Sequence, residues 1–385
     1  MVNMPRVREQ RRLVVISEAG SRGGAEEAAY RIAKESLRRG SRVTYIGPKG
    51  RDSTGLVEDY VTAGARYRRL PELPGGRVTG LVARAILTVA LLVRERPTAV
   101  LVNLPWPTMS LGILLGCAVR GTPTAVVFHC VPPGLSYAGR SRRVYRWLAT
   151  RRQRWICVSN GTRHILAGAL DIPQQRISVL PNGIDIPHSV RTQDEAAALR
   201  RSLGWQPDCP VFLTVGRLDS AKGYPELLSA IRVVAQTHPH ARFVWAGDGP
   251  CRSELEDRVK QWDLGGNVTL LGYRTDVRRL LRAADFFVFP SHFEAHPLAV
   301  LEAMAEGIPI LASDIPGVTG ILRSGVDAEL FPPESVADLQ ASLLLVLEGG
   351  ADMKAKADCA RETVKQYDGE TRYAAFVDFL ESIER

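Results

Sequence analysis

The sequence predicts an α/β protein made of two doubly wound, Rossmann-like domains that face a central cleft. Its 385 residues are too many for one ordinary core, and a chain of this length usually forms about two domains of roughly 150–200 residues. Short apolar runs alternate with helix-length segments, a pattern typical of parallel strands that are buried on both faces of a sheet. The alternation starts again after Asn182-Gly183, and two successive β/α series indicate two such domains.

The first series occupies residues 1–188 and the second occupies residues 189–366. Strands are expected in the first series at Leu13–Ile16, Val43–Ile46, Ala99–Val102, Ala125–Phe128, Trp155–Val158 and Ile177–Leu180, and in the second at Val211–Val215, Arg242–Ala246, Val268–Leu271, Phe286–Phe289 and Ile310–Ala312. Helices are expected at Gly24–Arg39, Arg142–Arg154 and Glu195–Leu203. The polar stretch Pro187–Asp194 separates the two series.

Composition narrows the class of protein. The formal net charge of +9 and the pI near 9.4 suit anionic partners such as nucleic acid, an acidic membrane surface or phosphorylated small molecules. The six cysteines never occur as C-x-x-C, which argues against a zinc ribbon and favours reduced thiols in the cytoplasm. Residues 1–12 lack the apolar run of a signal peptide, and we expect Leu81–Val93 and Met109–Val119 to be core helices rather than membrane spans.

The segment from Phe289 to Pro309 carries the richest pattern. A strand ends at Phe289, a loop holds Glu294, and a helix is expected over Leu298–Glu306, with Pro297 suited to its start. Backbone amides near the helix start, together with the helix dipole, form an anion site. Glu294 and Glu302 lie on either side of that site and can accept hydrogen bonds from sugar hydroxyls. The alternative is that both are ordinary surface carboxylates.

Two cations follow the first strand of the second series. Arg217 and Lys222 lie near glycines 216 and 223, which allow close approach of the backbone. A guanidinium fork and an ammonium point charge suit a diphosphate, whereas the alternative is an exposed basic loop. Because ligands bind beyond the carboxyl ends of strands in doubly wound sheets, we expect this loop and the Glu294 loop to lie at the same sheet edge.

Two features of the first series are weaker signals. Gly23-Gly24 opens the first helix but matches neither the P-loop nor the dinucleotide-binding fingerprint. His129 ends a predicted strand, where it could donate or accept a proton at the cleft, although ordinary packing is the commoner role of a single histidine.

These motifs together resemble family-four retaining glycosyltransferases, which have the GT-B fold. The spacing Glu294-x7-Glu302 followed by Ala-Met-Ala-x-Gly-x-Pro matches their E-x7-E signature. Further matches occur in the family's order, at Gly23-Gly24-Ala25-Glu26, Val158-Ser159-Asn160, Pro181-Asn182-Gly183-Ile184-Asp185, Val215-Gly216-Arg217-Leu218, Lys222-Gly223, Ala246-Gly247-Asp248-Gly249-Pro250, Gly272-Tyr273 and Phe331-Pro332-Pro333. The resemblance covers nearly the whole chain.

The resemblance implies a role for each matched residue. Arg217 and Lys222 would neutralise the nucleoside diphosphate, Glu302 would bind the ribose, and Glu294 would bind the transferred sugar. The implied catalytic residues are Glu294, His129, Arg217 and Lys222. The implied donor-binding residues are Gly23, Gly24, Arg217, Lys222, Tyr273, Glu294, Ala295, His296, Pro297, Leu298, Ala299 and Glu302. The C-terminal segment 367–385, with a helix at about Thr371–Ile383, would pack back onto the first domain.

Some positions depart from the family pattern. His296 replaces an aromatic or apolar residue beside the sugar, and Pro316–Gly320 lacks the glutamate of the family's Gly-Gly-x-x-Glu. The sequence contains no D-x-D, so we expect no metal ion and no cofactor, and cationic side chains with a helix N-terminus would stabilise the leaving phosphate.

A run of arginines lies between Gly139 and Trp155. Its members are Arg140, Arg142, Arg143, Arg146, Arg151, Arg152 and Arg154. The run could be a solvated helix face, or it could contact an acidic membrane surface or a phosphorylated acceptor. RNA binding is unsupported, because no RNA-recognition motif is present, and we expect no nucleic-acid partner.

The resemblance, with the absence of D-x-D, therefore implies a metal-independent retaining hexosyltransferase of glycan or glycoconjugate biosynthesis. It would be cytoplasmic, with the arginine run as a potential contact to the inner face of the membrane. Its donor would be a UDP- or GDP-linked sugar and its acceptor a hydroxyl of a small molecule, glycan or lipid-linked compound. The alternatives are a catalytically silent GT-B-like protein that binds anions or a partner, and a phosphorylase of the same fold.

Overall fold

The computed structural model describes residues 10–20, 22–48, 54–73, 77–189, 192–206, 208–349 and 352–384. The expectation of no signal peptide concerns mainly residues 1–9, which lie outside these ranges. Residues 190 and 191 of the predicted boundary stretch also lie outside them. Contacts divide the chain into a first unit, Met1–Asn182 with Glu370–Arg385, and a second unit, Gly183–Gly369. The division therefore lies a few residues before position 188 and a few residues after position 366.

The described residues of the first unit form a seven-stranded parallel sheet. Its strands are β1 (Arg12–Ser17), β2 (Arg42–Gly47), β3 (Arg66–Arg69), β4 (Ala99–Leu104), β5 (Thr124–Phe128), β6 (Arg154–Cys157) and β7 (Ile177–Val179), in the order β3-β2-β1-β4-β5-β6-β7. The helices are α1 (Gly24–Arg38), α2 (Thr54–Thr62), α3 (Arg77–Glu95), α4 (Leu111–Arg120), α5 (Gly139–Arg151) and α6 (Asn160–Leu170). Every residue of the central strand β4 is buried, as the continuous apolar run predicts.

The described residues of the second unit form a six-stranded parallel sheet. Its strands are β8 (Val211–Val215), β9 (Arg242–Ala246), β10 (Val268–Gly272), β11 (Phe286–Phe289), β12 (Ile310–Ser313) and β13 (Glu329–Phe331), in the order β10-β9-β8-β11-β12-β13. The helices are α7 (Gln193–Leu203), α8 (Tyr224–Thr237), α9 (Arg252–Gln261), α10 (Val277–Ala283), α11 (Leu298–Glu306), α12 (Pro316–Thr319), α13 (Val336–Leu347) and α14 (Met353–Thr363). Separate apolar clusters on the two faces of this sheet form its core.

The last helix, α15 (Gly369–Ile383), packs on the first unit. Arg39 forms an ion pair with Asp378 at 2.6 Å, and Thr98 Oγ1 donates a hydrogen bond to Glu384 at 2.8 Å. Arg11 pairs with Glu381. The last helix thus packs on the unit that contains β1, as the sequence predicts.

The structure corrects three expectations about helices and strands. The basic helix is Gly139–Arg151 rather than Arg142–Arg154, because Arg154 already pairs with β5 and the following Trp155 is fully buried. Strands β3 and β13 were not predicted. Of the two apolar stretches, Met109–Val119 contributes to the mostly buried α4, but Leu81–Val93 lies in α3, which leaves apolar side chains on one exposed face. Within the described ranges, no helix combines the length and the apolar character needed to cross a bilayer.

Candidate active site

Charged side chains of the second unit collect where β8 and β11 end. These strands are neighbours in the sheet, although β9 and β10 lie between them in the chain. The strand order therefore reverses between β8 and β11, and such a switch point is where open parallel sheets bind ligands. β8 leads into the loop with Arg217 and Lys222, and β11 leads into the loop with Glu294. The structure brings the two predicted segments to one sheet edge.

Lys222 and Glu294 are in direct contact at this edge. Lys222 Nζ forms an ion pair with Glu294 Oε1, and Ser291 Oγ donates a hydrogen bond to the same oxygen at 3.2 Å. The two charged side chains are only 25% and 16% exposed, so water screens their attraction less than it would at an open surface. The cation predicted to meet the diphosphate and the carboxylate predicted to meet the sugar thus neutralise each other. Ser291, which is buried, was not predicted as part of the site.

Helix α11 begins just beyond the Glu294 loop. Pro297 is its N-cap, and the amide of Leu301 donates to the Pro297 carbonyl oxygen. The amides of Leu298, Ala299 and Val300 precede the helix's own hydrogen bonding, which leaves the dipole's positive end at the switch point. The strand, loop and helix have the bounds that the sequence predicts. Their arrangement suits an anion.

Ala295 and His296, which belong to the same loop as Glu294, are buried. The His296 ring packs edge-on against the Tyr367 ring, with 5.1 Å between ring centroids. The histidine that departs from the family pattern therefore packs against another residue of its own unit. Tyr367 was not predicted as its neighbour, because the two residues are far apart in sequence.

Glu302 and Tyr273 occupy different parts of the sheet edge. Glu302 is half-buried in α11, one turn after the half-buried Leu298 and on the same helix face. Tyr273 follows β10, which β9 separates from β8, and its side chain is 58% exposed. Glu302 therefore lies on the helix that follows the Glu294 loop, whereas Tyr273 follows the outermost strand of the sheet.

Arg217 extends from the β8 loop and is the more exposed of the two predicted cations. Its side chain is 65% exposed, and its guanidinium binds Asp219 through contacts of 2.8 and 2.7 Å. Asp219 was not predicted as a site residue. Arg217 can reach a phosphate only if it shares the guanidinium with this carboxylate or leaves it.

Close backbone contacts fix the β8 loop. Gly223 has a φ of +69°, and a Cβ at this position would overlap with the Pro290 carbonyl in the β11 loop. A Cβ on Gly247 of the β9 loop would overlap with the Gly216 carbonyl, whereas a Cβ on Gly216 itself would meet only the Tyr224 hydroxyl at 3.6 Å. The expectation that glycine 223 allows close approach of the backbone is therefore confirmed. At glycine 216 the close approach instead depends on the missing side chain of Gly247.

Gly317 lies in close contact with the Glu294 loop. It belongs to α12, and a Cβ at this position would overlap with the Glu294 carbonyl. The sequence analysis noted this segment only for the glutamate that it lacks. The retained glycine was the signal that could have identified the contact.

The predicted residues of the first unit lie at the ends of β1 and β5. Gly23 is the N-cap of α1 and Gly24 is its first residue; both are exposed and follow β1. His129 follows β5, and its two ring nitrogens are buried without a hydrogen-bond partner among the described residues. Burial lowers the pKa of His129 to about 3. Burial therefore favours the neutral form of the ring, in which one nitrogen can donate and the other accept a hydrogen bond, and the catalytic role expected of His129 stays a prediction.

Among the described residues, no three His, Cys, Asp or Glu side chains are grouped closely enough to hold a metal ion. The positive groups at the switch point of the second unit are Arg217, Lys222 and the start of α11.

Two protein-family models match the chain. The model described as Glycosyltransferase Family 4 matches residues 22–187, and the model described as Glycosyl transferases group 1 matches residues 195–366. The chain is 30% identical over 248 residues to the UDP-Gal:alpha-D-GlcNAc-diphosphoundecaprenol alpha-1,3-galactosyltransferase of Escherichia coli, covering 62% of this chain and 64% of that protein. It is 28% identical over 333 residues to the 2-deoxystreptamine glucosyltransferase of Streptomyces kanamyceticus, covering 81% and 84%.

Solved structures show the same fold. The Anabaena protein HepE in complex with UDP and glucose superposes with a TM-score of 0.81 at 20% identity, covering 97% of this chain and all of that chain. A glycosyltransferase from Rickettsia africae has a TM-score of 0.81 at 16% identity, covering 97% and 98%. These likenesses and the shared sheet architecture show the GT-B fold, and the two family models, which together span most of the chain, show that it belongs to glycosyltransferase family four.

Proposed function

We propose that the protein is a retaining hexosyltransferase that moves a sugar from a UDP-linked donor to a hydroxyl acceptor. The pairing of Lys222 with Glu294 at the β8/β11 switch point, beside the start of α11, carries the proposal. It joins a cation for a diphosphate to an acceptor of sugar hydroxyl hydrogen bonds within one compact arrangement. A UDP-galactose-dependent relative and a structure holding UDP and glucose favour uridine over guanosine as the base.

The proposed donor site lies in the second unit. The first-turn amides of α11 and Lys222 bind the diphosphate, Arg217 exchanges Asp219 for a phosphate oxygen, and Glu302 accepts hydrogen bonds from the ribose. Glu294 binds a hydroxyl of the sugar. Lys222, Arg217 and the start of α11 supply positive charge that stabilises the leaving phosphate, so the proposal includes no metal ion. The donor-binding roles of Gly23, Gly24 and Tyr273 and the catalytic role of His129 remain predictions of the family resemblance.

Retention of the anomeric configuration is the outcome that the family resemblance implies. In the retaining reaction the bond between the anomeric carbon and the phosphate oxygen breaks, the acceptor oxygen bonds to the same face of that carbon, and the acceptor proton passes to the leaving phosphate. No protein base is needed for that step.

The acceptor side is proposed to approach an acidic membrane surface through α5. Arg140 and Arg143 are exposed on this helix and lie three residues apart, with the exposed Trp147 one turn further on. Arg142 and Arg146 instead point toward Asp171, at 3.7 and 3.2 Å. The first pair is therefore the better candidate for contact with lipid phosphates.

The function can be tested by release of nucleoside diphosphate. We expect thermal stabilisation by UDP and by at least one UDP-sugar, turnover without added metal, and a product whose anomeric configuration, read by NMR, equals that of the donor. Lys222→Ala should lose most of its kcat, because the charge it meets grows in the transition state, whereas the surface change Lys260→Ala should not. Binding without turnover in every donor and acceptor mixture would indicate a catalytically silent GT-B protein. Turnover that depends on inorganic phosphate would indicate a phosphorylase. Thermal stabilisation by GDP but not by UDP would indicate a GDP-linked donor.

A further inference from the structure

Glu26 is a buried carboxylate at the switch point of the first sheet. It lies in the first turn of α1, is 4% exposed, and its Oε1 accepts hydrogen bonds from Ser17 Oγ at 3.4 Å and from Asn103 Nδ2 at 3.2 Å. Ser17 ends β1 and is in register with Asn103 of β4. These neighbouring strands are where the order of the sheet reverses, so Glu26 is anchored where open sheets bind ligands.

The other carboxylate oxygen faces the beginning of α1. Glu26 Oε2 lies 3.5 Å from the position that a Cβ on Gly23 would occupy, which places the carboxylate beside the backbone of the N-cap. A glutamate that bonds back to the N-cap amide three residues earlier is one half of a capping box. The other half, an N-cap hydroxyl, is absent because the N-cap is glycine. The carboxylate therefore lies between the Gly23 backbone and the two strands to which it is hydrogen-bonded.

Burial of this carboxylate carries an energetic cost. Desolvation raises the pKa of Glu26 to about 7, although its hydrogen bonds act in the opposite direction. The phenols that face it, Tyr45 and Tyr60, have pKa values raised by burial and stay neutral. An apolar side chain would fill the same space without the desolvation cost. A carboxylate here indicates a role beyond packing.

We propose that Glu26 is a positioning residue that holds the Gly23–Gly24 turn, and thereby the first amides of α1, in one orientation toward the substrate. Neither glycine has a side chain that could restrain it, and glycine has the widest backbone freedom of any residue. The link through Glu26 to β1 and β4 supplies that restraint. Because a substrate role for the turn is part of the proposed function, this inference rests on that proposal.

Glu26→Gln tests the link with little change in volume. Its carbonyl oxygen can still accept from Ser17 and Asn103, but its NH2 group then faces the Gly23 amide, donor against donor. Glu35→Gln is the matched control. It makes the same chemical change in α1, at a residue that is 8% exposed. Its carboxylate pairs with arginines at the other end of the helix, so the control leaves the turn intact.

Two measurements separate this inference from the proposed function. Hydrogen exchange at the Gly23 and Gly24 amides needs no substrate, and we expect it to be at least about tenfold faster in Glu26→Gln and unchanged in Glu35→Gln. In turnover, kcat/KM should fall at least about tenfold in Glu26→Gln alone, since small misplacements of binding groups are costly. If the wild type turns over no donor, the proposed function fails, and hydrogen exchange still decides the role of Glu26.

The wild-type protein offers a further readout should Glu26→Gln fail to fold. A protonated carboxyl is a poorer acceptor, so protection of the Gly23 amide, corrected for intrinsic exchange, should fall as the pH drops through about 7. Equal protection of the Gly23 amide in wild type and Glu26→Gln would overturn the proposal, as would protection in the wild type that does not change with pH. A variant that melts at lower temperature but keeps this protection and its kcat/KM would show a packing role only.

Discussion

At the scale of single residues, the contact between Lys222 and Glu294 decides how the site should respond to substitution. Each charge satisfies the other, and both are shielded from water. A diphosphate that binds Lys222 therefore competes with Glu294 for the ammonium group. The two glutamates of the E-x7-E signature are not equivalent, because Glu302 lies inside α11 and Glu294 lies in the preceding loop.

Glu294→Gln should bind UDP at least as tightly as the wild type but transfer sugar at least about tenfold more slowly. Loss of the carboxylate makes the Lys222 ammonium more available to phosphate, whereas the sugar loses a charged hydrogen-bond acceptor. Glu302→Gln should instead weaken UDP binding, because the ribose hydroxyls lose a charged hydrogen-bond acceptor. Calorimetric titration with UDP and a turnover assay measure the two effects. Equal losses of UDP affinity in both variants would contradict this division.

His129 should make stability depend on pH. Its pKa is lowered from an ordinary 6.5 to about 3, so the unfolded chain binds a proton that the folded protein excludes. The stability that follows from this difference is present above about pH 6.5 and is lost as the pH falls toward 3, at about 1.4 kcal/mol per pH unit. His129→Leu removes the effect. Glu26, with a raised pKa, acts with the opposite sign between about pH 4.5 and 7, so wild type and variant must be compared at each pH.

The measurement is denaturant unfolding of both proteins between about pH 5 and 8. The free energy of unfolding of the wild type should fall, relative to that of His129→Leu, as the pH is lowered. A constant difference between the two proteins over this range would show that the His129 ring is not held in a dry environment.

At the scale of structural elements, the short helix α12 holds the loop between β11 and α11 in place. Gly317→Ala should push the Glu294 carbonyl away, because the added methyl group overlaps with it. We expect a cost of about 1–3 kcal/mol in stability, as for other overpacked sites, and a loss of transfer activity. Gly266→Ala is the control in the same unit, since its Cβ would meet nothing within 4 Å. Thermal unfolding and turnover measure both effects, and a Gly317→Ala protein with wild-type values would show that the loop can shift freely.

Elements with a strong local signal could be predicted from the sequence. The boundaries of β11 and α11 follow from a buried apolar run, a proline and a terminal glycine, and the structure has them as predicted. Strand β3 (Arg-Tyr-Arg-Arg) has a composition that indicates an exposed loop, and it forms a strand only because β2 offers a free edge. The end of α5 was placed too late, because the local arginine pattern continues into β6, where pairing with β5 determines the structure.

The candidate site shows the same limit. The sheet edge shared by Lys222 and Glu294 followed from strand alternation, but their direct contact did not. The contacts that depend on chain segments far apart in sequence did not follow from it. Gly317 beneath Glu294, Tyr367 against His296 and the dry surroundings of the His129 ring all arise from tertiary packing.

At the scale of the whole molecule, the net positive charge favours binding to acidic surfaces, and the exposed face of α5 could orient that binding. The chain carries a formal net charge of +9, which attracts it to any acidic surface without specifying an orientation. Exposed arginines beside an exposed tryptophan on α5 would supply an orientation, because the aromatic ring suits the lipid–water interface. Long-range attraction and local docking can be separated by substitutions that change the net charge equally.

Two double variants make that separation. Arg140→Gln with Arg143→Gln removes two exposed charges that have no ion-pair partner among the described residues, whereas Arg142→Gln with Arg146→Gln removes two charges that already face Asp171. Each basic residue near an acidic bilayer contributes about 1 kcal/mol, so the first pair should weaken binding to acidic vesicles by about thirtyfold and the second by much less. Co-sedimentation with acidic and neutral vesicles at low salt measures this, and raising the salt should release the bound wild type, because the Debye length shortens from about 10 Å at 0.1 M to about 3 Å at 1 M. Equal effects of the two pairs would mean that net charge alone drives adsorption, and a wild type that ignores acidic vesicles would leave a soluble acceptor as the better proposal.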